Sequence, residues 1–189
     1  MFTGIIKATA PVKRAESKNG SLFLFISTPK NWRIKPGDSI AANGVCLTVK
    51  KVNKNNYITE LMPETLERTY LGKVIPKELN LELSLRLSDR IDGHLVYGHI
   101  DAVGKIETIK TVGRAKIYTV SFPKKFRKLV AEKGSITVDG ISLTVIAYSN
   151  SWFSVSLTEY TLGHTTLGRK QTKDMVNLEF DIIAKYLRT

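Results

Sequence analysis

Ser39-Ile40-Ala41-Ala42-Asn43-Gly44-Val45-Cys46-Leu47-Thr48-Val49 returns 96 residues later as Ser135-Ile136-Thr137-Val138-Asp139-Gly140-Ile141-Ser142-Leu143-Thr144-Val145. Six of the eleven positions are identical, and Asn43/Asp139, Val45/Ile141 and Cys46/Ser142 are close exchanges. At the same offset, Leu61-Met62-Pro63-Glu64-Thr65-Leu66-Glu67-Arg68-Thr69-Tyr70-Leu71-Gly72 matches Leu157-Thr158-Glu159-Tyr160-Thr161-Leu162-Gly163-His164-Thr165-Thr166-Leu167-Gly168, with six of twelve identical. Two blocks in one order and at one offset mark an internal duplication, about ninety residues per copy.

Working outward, each copy reads as strands. Leu79, Leu81, Leu83, Leu85 and Leu87 alternate with polar residues, the period of a half-buried strand. Val176, Leu178, Phe180 and Ile182 repeat that alternation in the second copy. Residues 21–27, 57–61, 117–122 and 152–157 are further short runs rich in β-branched and aromatic residues. Asn43-Gly44 and Asp139-Gly140 are tight-turn signals leading into an apolar strand. Helical candidates are few: residues 63–69, which open with Pro then Glu, and residues 123–132, which Gly134 stops. Many short strands at regular spacing predict a small barrel or sandwich, built twice. Residues 88–92 are the expected joint, giving units at 1–90 and 91–183 and a tail at 184–189.

The bulk numbers narrow the function classes. A chain of 189 residues, 42% hydrophobic and 24% charged, is ordinary for a soluble globular protein. No apolar run approaches the roughly 18 residues of a membrane span. The N-terminus lacks the layout of a signal peptide. Cys46 is the single cysteine, so no internal disulfide can form, and a reducing cytoplasm is expected. The net charge of +12 invites a nucleic-acid reading. Against it, the densest clusters, 30–35 and 124–133, recur at corresponding places in the two copies, and Lys outnumbers the forked Arg. No aromatic interleaving accompanies them. Neither a nucleic-acid nor a membrane partner is expected.

On a strand, Cys46 and Thr48 point to one face and Leu47 to the other, and Ser142, Leu143 and Thr144 do the same. Each copy thus offers two small hydrogen-bonding side chains to one side while its leucine enters a core. Isolated, either triplet reads as ordinary strand sequence. Occurring in both copies, it reads as a binding surface used twice. His94 and His99 lie five apart, but no third or fourth ligand is evident, so no metal site is expected. A histidine can instead act as a general acid or base. His94 reads equally well as structural or functional. His99 is favoured because Gly98 before it corresponds to Gly4. No phosphate-cradling loop and no hydrolase triad order is present. The residues alone point to a duplicated β-protein that binds two similar polar-ring ligands.

The set Met1-Phe2-Thr3-Gly4-Ile5-Ile6, Asn43-Gly44-Val45-Cys46-Leu47-Thr48-Val49, Met62-Pro63-Glu64-Thr65-Leu66, Gly93-His94-Leu95-Val96-Tyr97-Gly98-His99, Asp139-Gly140-Ile141-Ser142-Leu143-Thr144-Val145 and Thr165-Thr166-Leu167-Gly168 closely resembles the riboflavin synthase family. The match runs in order from residue 1 to about residue 186. The resemblance implies an all-β fold of two similar six-stranded closed Greek-key β-barrels in tandem, with a C-terminal helix. It implies a homotrimer in which the N-terminal barrel of one subunit faces the C-terminal barrel of another, and it leaves room for association with lumazine synthase. The implied reaction is the dismutation of two molecules of 6,7-dimethyl-8-ribityllumazine into riboflavin and 5-amino-6-(D-ribitylamino)uracil, without metal or redox cofactor.

By the same resemblance, the first barrel's ligand shell comprises Gly4, Ile5 and Ile6, then Cys46, Leu47 and Thr48, then Glu60, Leu61, Met62, Pro63, Glu64 and Thr65. The second barrel's comprises Gly98, His99 and Ile100, then Ser142, Leu143 and Thr144, then Ser156, Leu157, Thr158, Glu159, Tyr160 and Thr161. Lys133 matches a position reaching across from a neighbouring subunit. The implied catalytic helpers are Phe2, Ser39, Cys46, His99, Thr144 and Asp181. Water, Ser39 and Cys46 all stand as candidate nucleophiles toward the donor ring.

Three features depart from the family pattern. Glu159 replaces a usual proline, opening the second rim to reshaping. Tyr97 replaces a smaller polar residue beside His99. The tail ends at Thr189, a remnant of a longer trimerisation helix. Non-catalytic lumazine or flavin carriers of the same superfamily are the alternative. Those relatives tend to lose the second-copy histidine and the Ser-Leu-Thr motif, whereas His99 and Ser142-Leu143-Thr144 stand here.

Overall fold

Val45, Leu47 and Val49 are buried while Lys50 is exposed, and that alternation defines a strand whose apolar side faces a barrel interior. The computed structural model describes residues 1–187, with Arg188 and Thr189 of the expected tail outside the described residues. The first barrel comprises β1 (Ala8–Lys18), β2 (Ser21–Ser27), β3 (Ser39–Ala42), β4 (Val45–Val52), β5 (Asn56–Leu61) and β6 (Glu78–Leu83). The second comprises β7 (Ala102–Val112), β8 (Ala115–Ser121), β9 (Ser135–Val138), β10 (Ile141–Tyr148), β11 (Trp152–Leu157) and β12 (Met175–Phe180).

Both sheets close, all pairings are antiparallel, and the order around the first is β1-β2-β5-β4-β3-β6. The second barrel has the same order with every strand number raised by six. The β2–β3 connection jumps over β5 and β4, which is the Greek-key step. Closure leaves neither sheet an unpaired edge. Register shifts at Val12/Arg14 and Val49/Lys51 recur at Ile106/Thr108 and Val145/Ala147. Bulges at matched places bend the strands enough to close so small a barrel.

Each barrel has its own core. Leu24, Ile26, Ile40, Tyr57, Leu61, Leu79 and Leu81 fill the first. Tyr118, Ile136, Phe153, Val155, Val176, Leu178 and Phe180 fill the second. Six-residue helices, α1 (Pro63–Arg68) and α2 (Glu159–His164), follow β5 and β11. α2 begins on a Thr158 side-chain cap to the Thr161 amide, where α1 relies on Pro63. The exchange of proline for Glu159 therefore leaves the helix in place and does not reshape its span.

Several expectations change. Residues 123–132 are helical only over Lys124–Leu129, and there as a 3₁₀ helix. The leucine alternation of β6 stops at Leu83, and Leu87 is fully exposed. Just beyond Leu83, Ser84 donates its amide to the Ser39 carbonyl at 3.3 Å and Leu85 its amide to the Met1 carbonyl at 2.9 Å, but no strand forms. Residues 84–101 carry no helix or strand except an isolated bridge between Phe2 and Val96, so the joint is wider than residues 88–92. The tail helix α3 spans Ile182–Tyr186, beginning two residues before the expected 184 on an Asp181 cap. No helix among the described residues is long and apolar enough to cross a membrane.

The two barrels meet through equivalent surfaces. The hairpin turns Asn43-Gly44 and Asp139-Gly140 have positive φ at all four residues, the two-residue turn that Asn-Gly and Asp-Gly favour. They lie back to back: a Cβ on Gly44 would stand 2.7 Å from the Gly140 nitrogen. Around them Asn80 Nδ2 donates to the Asp139 carbonyl and Asn177 Nδ2 to the Asn43 carbonyl, both at 3.0 Å. Asn80 Oδ1 accepts from the Thr166 amide at 2.8 Å, and Asn177 Oδ1 from the Tyr70 amide at 3.0 Å. Buried side-chain amides thus cross the interface reciprocally and satisfy each other's backbone.

Candidate functional site

Cys46 lies half-buried on β4 with its neighbour Leu47 in the core. Its amide donates to the carbonyl of Gly98 at 2.9 Å. Gly98 has φ +79, and a Cβ there would stand 2.6 Å from the Cβ of Cys46. Only glycine permits both that backbone and that approach. The second copy repeats the arrangement with partners exchanged. Ser142 donates its amide to the Gly4 carbonyl at 2.8 Å, and Gly4 has φ +76 with no room for a Cβ against Ser142.

The glycine loops therefore cross over. Gly4, Ile5 and Ile6 were expected with Cys46, and Gly98, His99 and Ile100 with Ser142. The structure seats them the other way: Ile6 packs on the second barrel's core and Ile100 within the first barrel's. The physical reason is that each segment precedes its own barrel's first strand and is free to hydrogen-bond to the opposite barrel's hairpin. The isolated bridge between Phe2 and Val96 ties the two crossing segments together. Phe2 is wholly buried with Ala41, Val96 and Cys46.

Two carboxylates hold these loops. Glu82, on β6, accepts from the Thr3 amide and hydroxyl, both at 2.7 Å, and from the Gly4 amide at 3.0 Å. Glu179, on β12, accepts from the Tyr97 and Gly98 amides, both at 2.8 Å. Both side chains are buried, and burial raises both carboxyls above the usual range, Glu179 to about 7. The hydrogen bonds from the loops, and Lys185 near Glu179, oppose that rise. Sequence reading missed these residues. The signal was present: Asn80-Leu81-Glu82 recurs as Asn177-Leu178-Glu179.

A cleft of about 380 Å³ opens beside Cys46, lined also by Glu64, Thr65, Arg68, Thr69, Gly98, His99, Ile100 and Asp101. A larger cleft, about 730 Å³, lies between Tyr70, Pro76 and Lys170 and contains none of these residues. The smaller one gathers the residues that could do chemistry. Arg68, Thr69 and Asp101 join it without having been expected. Arg68 is held by Glu64 at 2.9 Å across one helical turn. Burial raises the Cys46 thiol above its ordinary value, against a hydrogen bond from Ser39 that lowers it. The thiol is therefore protonated at neutral pH, a polar contact rather than a ready nucleophile.

The remaining expected residues take varied places. Thr48 and Thr144 are exposed, beside Cys46 and Ser142 on the same side of their strands. Leu61, Leu143 and Leu157 are core residues. Glu60 is paired with Lys50, which holds its carboxyl down. Met62, Thr158, Glu159 and Tyr160 are exposed at the rims of α1 and α2, and Tyr160 stacks on His164. Ser156 is exposed on β11 and Thr161 half-buried. Lys133 is exposed on a left-handed backbone, φ 63. His99 is exposed, its ring 6.0 Å from that of Tyr97. His94, given no preference from sequence, lies with Nδ1 2.7 Å from the Ser142 hydroxyl, and burial lowers its pKa. Asp181 caps α3 through the Ile183 amide at 3.0 Å and acts on His94 only through its charge.

Comparison with known proteins identifies the family. Residues 3–84 and 97–181 each match the lumazine binding domain. Riboflavin synthase of Photobacterium phosphoreum is 38% identical over 99% of this chain and 87% of its own length. That of Mycobacterium bovis is 42% identical over 99% of this chain and 96% of its own. In fold, LumP complexed with riboflavin superposes with a TM-score of 0.88 at 18% identity, covering 95% of this chain and 99% of that one. LumP complexed with 6,7-dimethyl-8-(1'-D-ribityl) lumazine gives 0.85 at 18% identity over the same shares. Two lumazine-binding repeats and full-length identity to these enzymes place the chain in the riboflavin synthase family.

Proposed function

We propose that the chain is a riboflavin synthase that converts two molecules of 6,7-dimethyl-8-ribityllumazine into riboflavin and 5-amino-6-(D-ribitylamino)uracil. The observation that carries this reading is the crossed pair of sites. Each has a half-buried Cys or Ser followed by Leu-Thr, and each is completed by a glycine loop from the other copy. A dismutation needs two places for one molecule, and two near-equivalent strand-and-loop arrangements offer them.

One lumazine gives up a four-carbon unit and the other accepts it, so positioning supplies most of the rate. The C7 methyl group of the lumazine is acidic because the ring delocalises the carbanion, and His99, exposed beside Cys46, is the proposed base. Backbone donors and small hydroxyls around the ring oxygens stabilise the developing charge. Thr65 and Glu64 in the first site, with Thr161 in the second, are proposed partners of the ribityl hydroxyls. Facing pockets on different subunits of a homotrimer bring the two rings together, and Lys133 reaches across from the neighbour. The protein is proposed to work in the cytoplasm, with lumazine synthase as a candidate associate.

The test is direct. Purified protein mixed with the lumazine alone, with no nucleotide or added metal, is followed by absorbance. Riboflavin and the uracil product are expected in equal amounts. Binding without turnover at any protein concentration would replace the enzyme by the carrier. Activity abolished by a chelator and restored by a divalent metal would overturn the cofactor-free reaction.

A further inference from the structure

We propose that Glu82 and Glu179 are positioning residues that act across the barrels, each shaping the site centred on the opposite copy's hairpin strand. The geometry has two links. Glu179 stands on β12 of the second barrel and holds the Tyr97 and Gly98 amides at 2.8 Å. The Gly98 carbonyl then takes the Cys46 amide at 2.9 Å, and the glycine lies against the Cys46 side chain in the first barrel's site. Glu82 stands on β6 of the first barrel and holds Thr3 and Gly4, and the Gly4 carbonyl takes the Ser142 amide at 2.8 Å.

A carboxyl suits this task because, once ionised, it only accepts, and every group facing it on the loop donates. A glutamine would present an NH₂ to one of two amide N–H groups and lose that bond. Burying a carboxylate costs stability unless its bonds are made, so these glutamates are a costly choice for a merely structural tie. Lys185 and Asp101 are the charged groups acting on Glu179, and Lys7 acts on Glu82. Glu179 reaches Cys46 in two ways, through the glycine loop and through its own charge, which raises the thiol.

The inference rests on the lumazine reading only for its effect on turnover, because the clamp itself is read without ligand. Cys46 is the only cysteine, which makes it a reporter confined to one site. The experiment measures the rate at which an aromatic disulfide reagent labels Cys46 at one fixed pH in wild type, Glu179→Gln and Glu82→Gln. Glu179→Gln is expected to speed labelling at least about threefold, because the loop covering the thiol loosens and a charge that raises the thiol is removed. Glu82→Gln is expected to leave the rate within about twofold, although Glu82 shares a barrel with Cys46. Equal effects, or a larger effect from Glu82→Gln, would overturn the crossed assignment. Glu179→Asp keeps the charge and shortens its reach, so it isolates the loop: an increase of at least about twofold is expected from it, and no increase would overturn the clamp. Repeating the labelling with saturating riboflavin separates the two readings. Failure of riboflavin to protect wild-type Cys46 would sink the pocket assignment while the ligand-free rates still judge the clamp. With lumazine as substrate, Glu179→Gln is expected to lower turnover at least about tenfold.

Discussion

At Cys46 the structure favours a thiol that touches rather than attacks. Burial keeps it protonated, Ser39 hydrogen-bonds to it, and serine already occupies the matching place at Ser142. Cys46→Ser should therefore cost about 1 kcal/mol, roughly a tenfold loss of activity at most. A loss of several orders of magnitude in steady-state turnover would instead make the thiol an obligatory nucleophile. Glu179 makes a second residue-scale prediction. Its carboxyl ionises at about 7 in the fold and near 4.5 when exposed. Between those values the folded chain keeps a proton that the unfolded chain has released. Its contribution to stability is thus full below 4.5, declines as pH rises through this window, and is lost above about 7. The penalty is on the order of 3 kcal/mol. Thermal melts of wild type and Glu179→Gln should show the variant gaining on wild type as pH rises from 4 to 8. A constant difference across that range would mean that Glu179 is not raised.

At the scale of elements, the strands were readable where packing follows a period of two. β2 and β11 have the bounds their apolar runs suggest, and Cys46, Leu47 and Thr48 divide between surface and core as alternation requires. Periodicity failed at the ends. Leu85 keeps the rhythm of β6 but bonds to Met1 outside any strand, Leu87 is fully exposed, and residues 124–129 carry an apolar stripe that two turns of 3₁₀ helix satisfy. The candidate site was legible in its residue types but not in its connections. Nothing in Gly4 or Gly98 says which hairpin it will lie against, because that choice is made by hydrogen bonds between segments more than forty residues apart. The turns themselves were legible and are stringent. Gly140 has φ +78, and a Cβ there would stand 2.6 Å from the Gly44 nitrogen. Gly140→Ala should cost about 2 kcal/mol or more from backbone strain plus the clash. Urea unfolding at neutral pH measures this, and a cost under about 0.5 kcal/mol would show that the barrels can part without penalty.

At the scale of the whole molecule, duplication decides both architecture and function. The barrels share strand order, bulge positions and the Asn80/Asn177 cross-ties. Facing pockets on different subunits would make catalysis depend on association. The tail helix is a single short turn and a half, too short to stand alone. Ile183 on it and Leu187 just after it are 58% and 79% exposed in the single chain, which leaves apolar surface for a neighbour to cover. Specific activity should therefore rise with protein concentration and fall sharply in Leu187→Asp, while lumazine still binds to each barrel. Sedimentation run beside dilution assays checks this. A monomer whose specific activity is independent of concentration would refute the cross-subunit site.

The crossing of the glycine loops has a consequence for hybrids between relatives. A chimera joined near residue 90 would not carry one parent's pocket beside the other's. It would carry two mixed pockets, each with its strand from one parent and its glycine loop from the other. To transplant the Cys46 pocket intact, residues 39–69 must travel with residues 94–101 and with Glu179, which lies at the far end of the chain. The unit of inheritance here is the pair of copies, and neither half can drift in sequence without the other half feeling it.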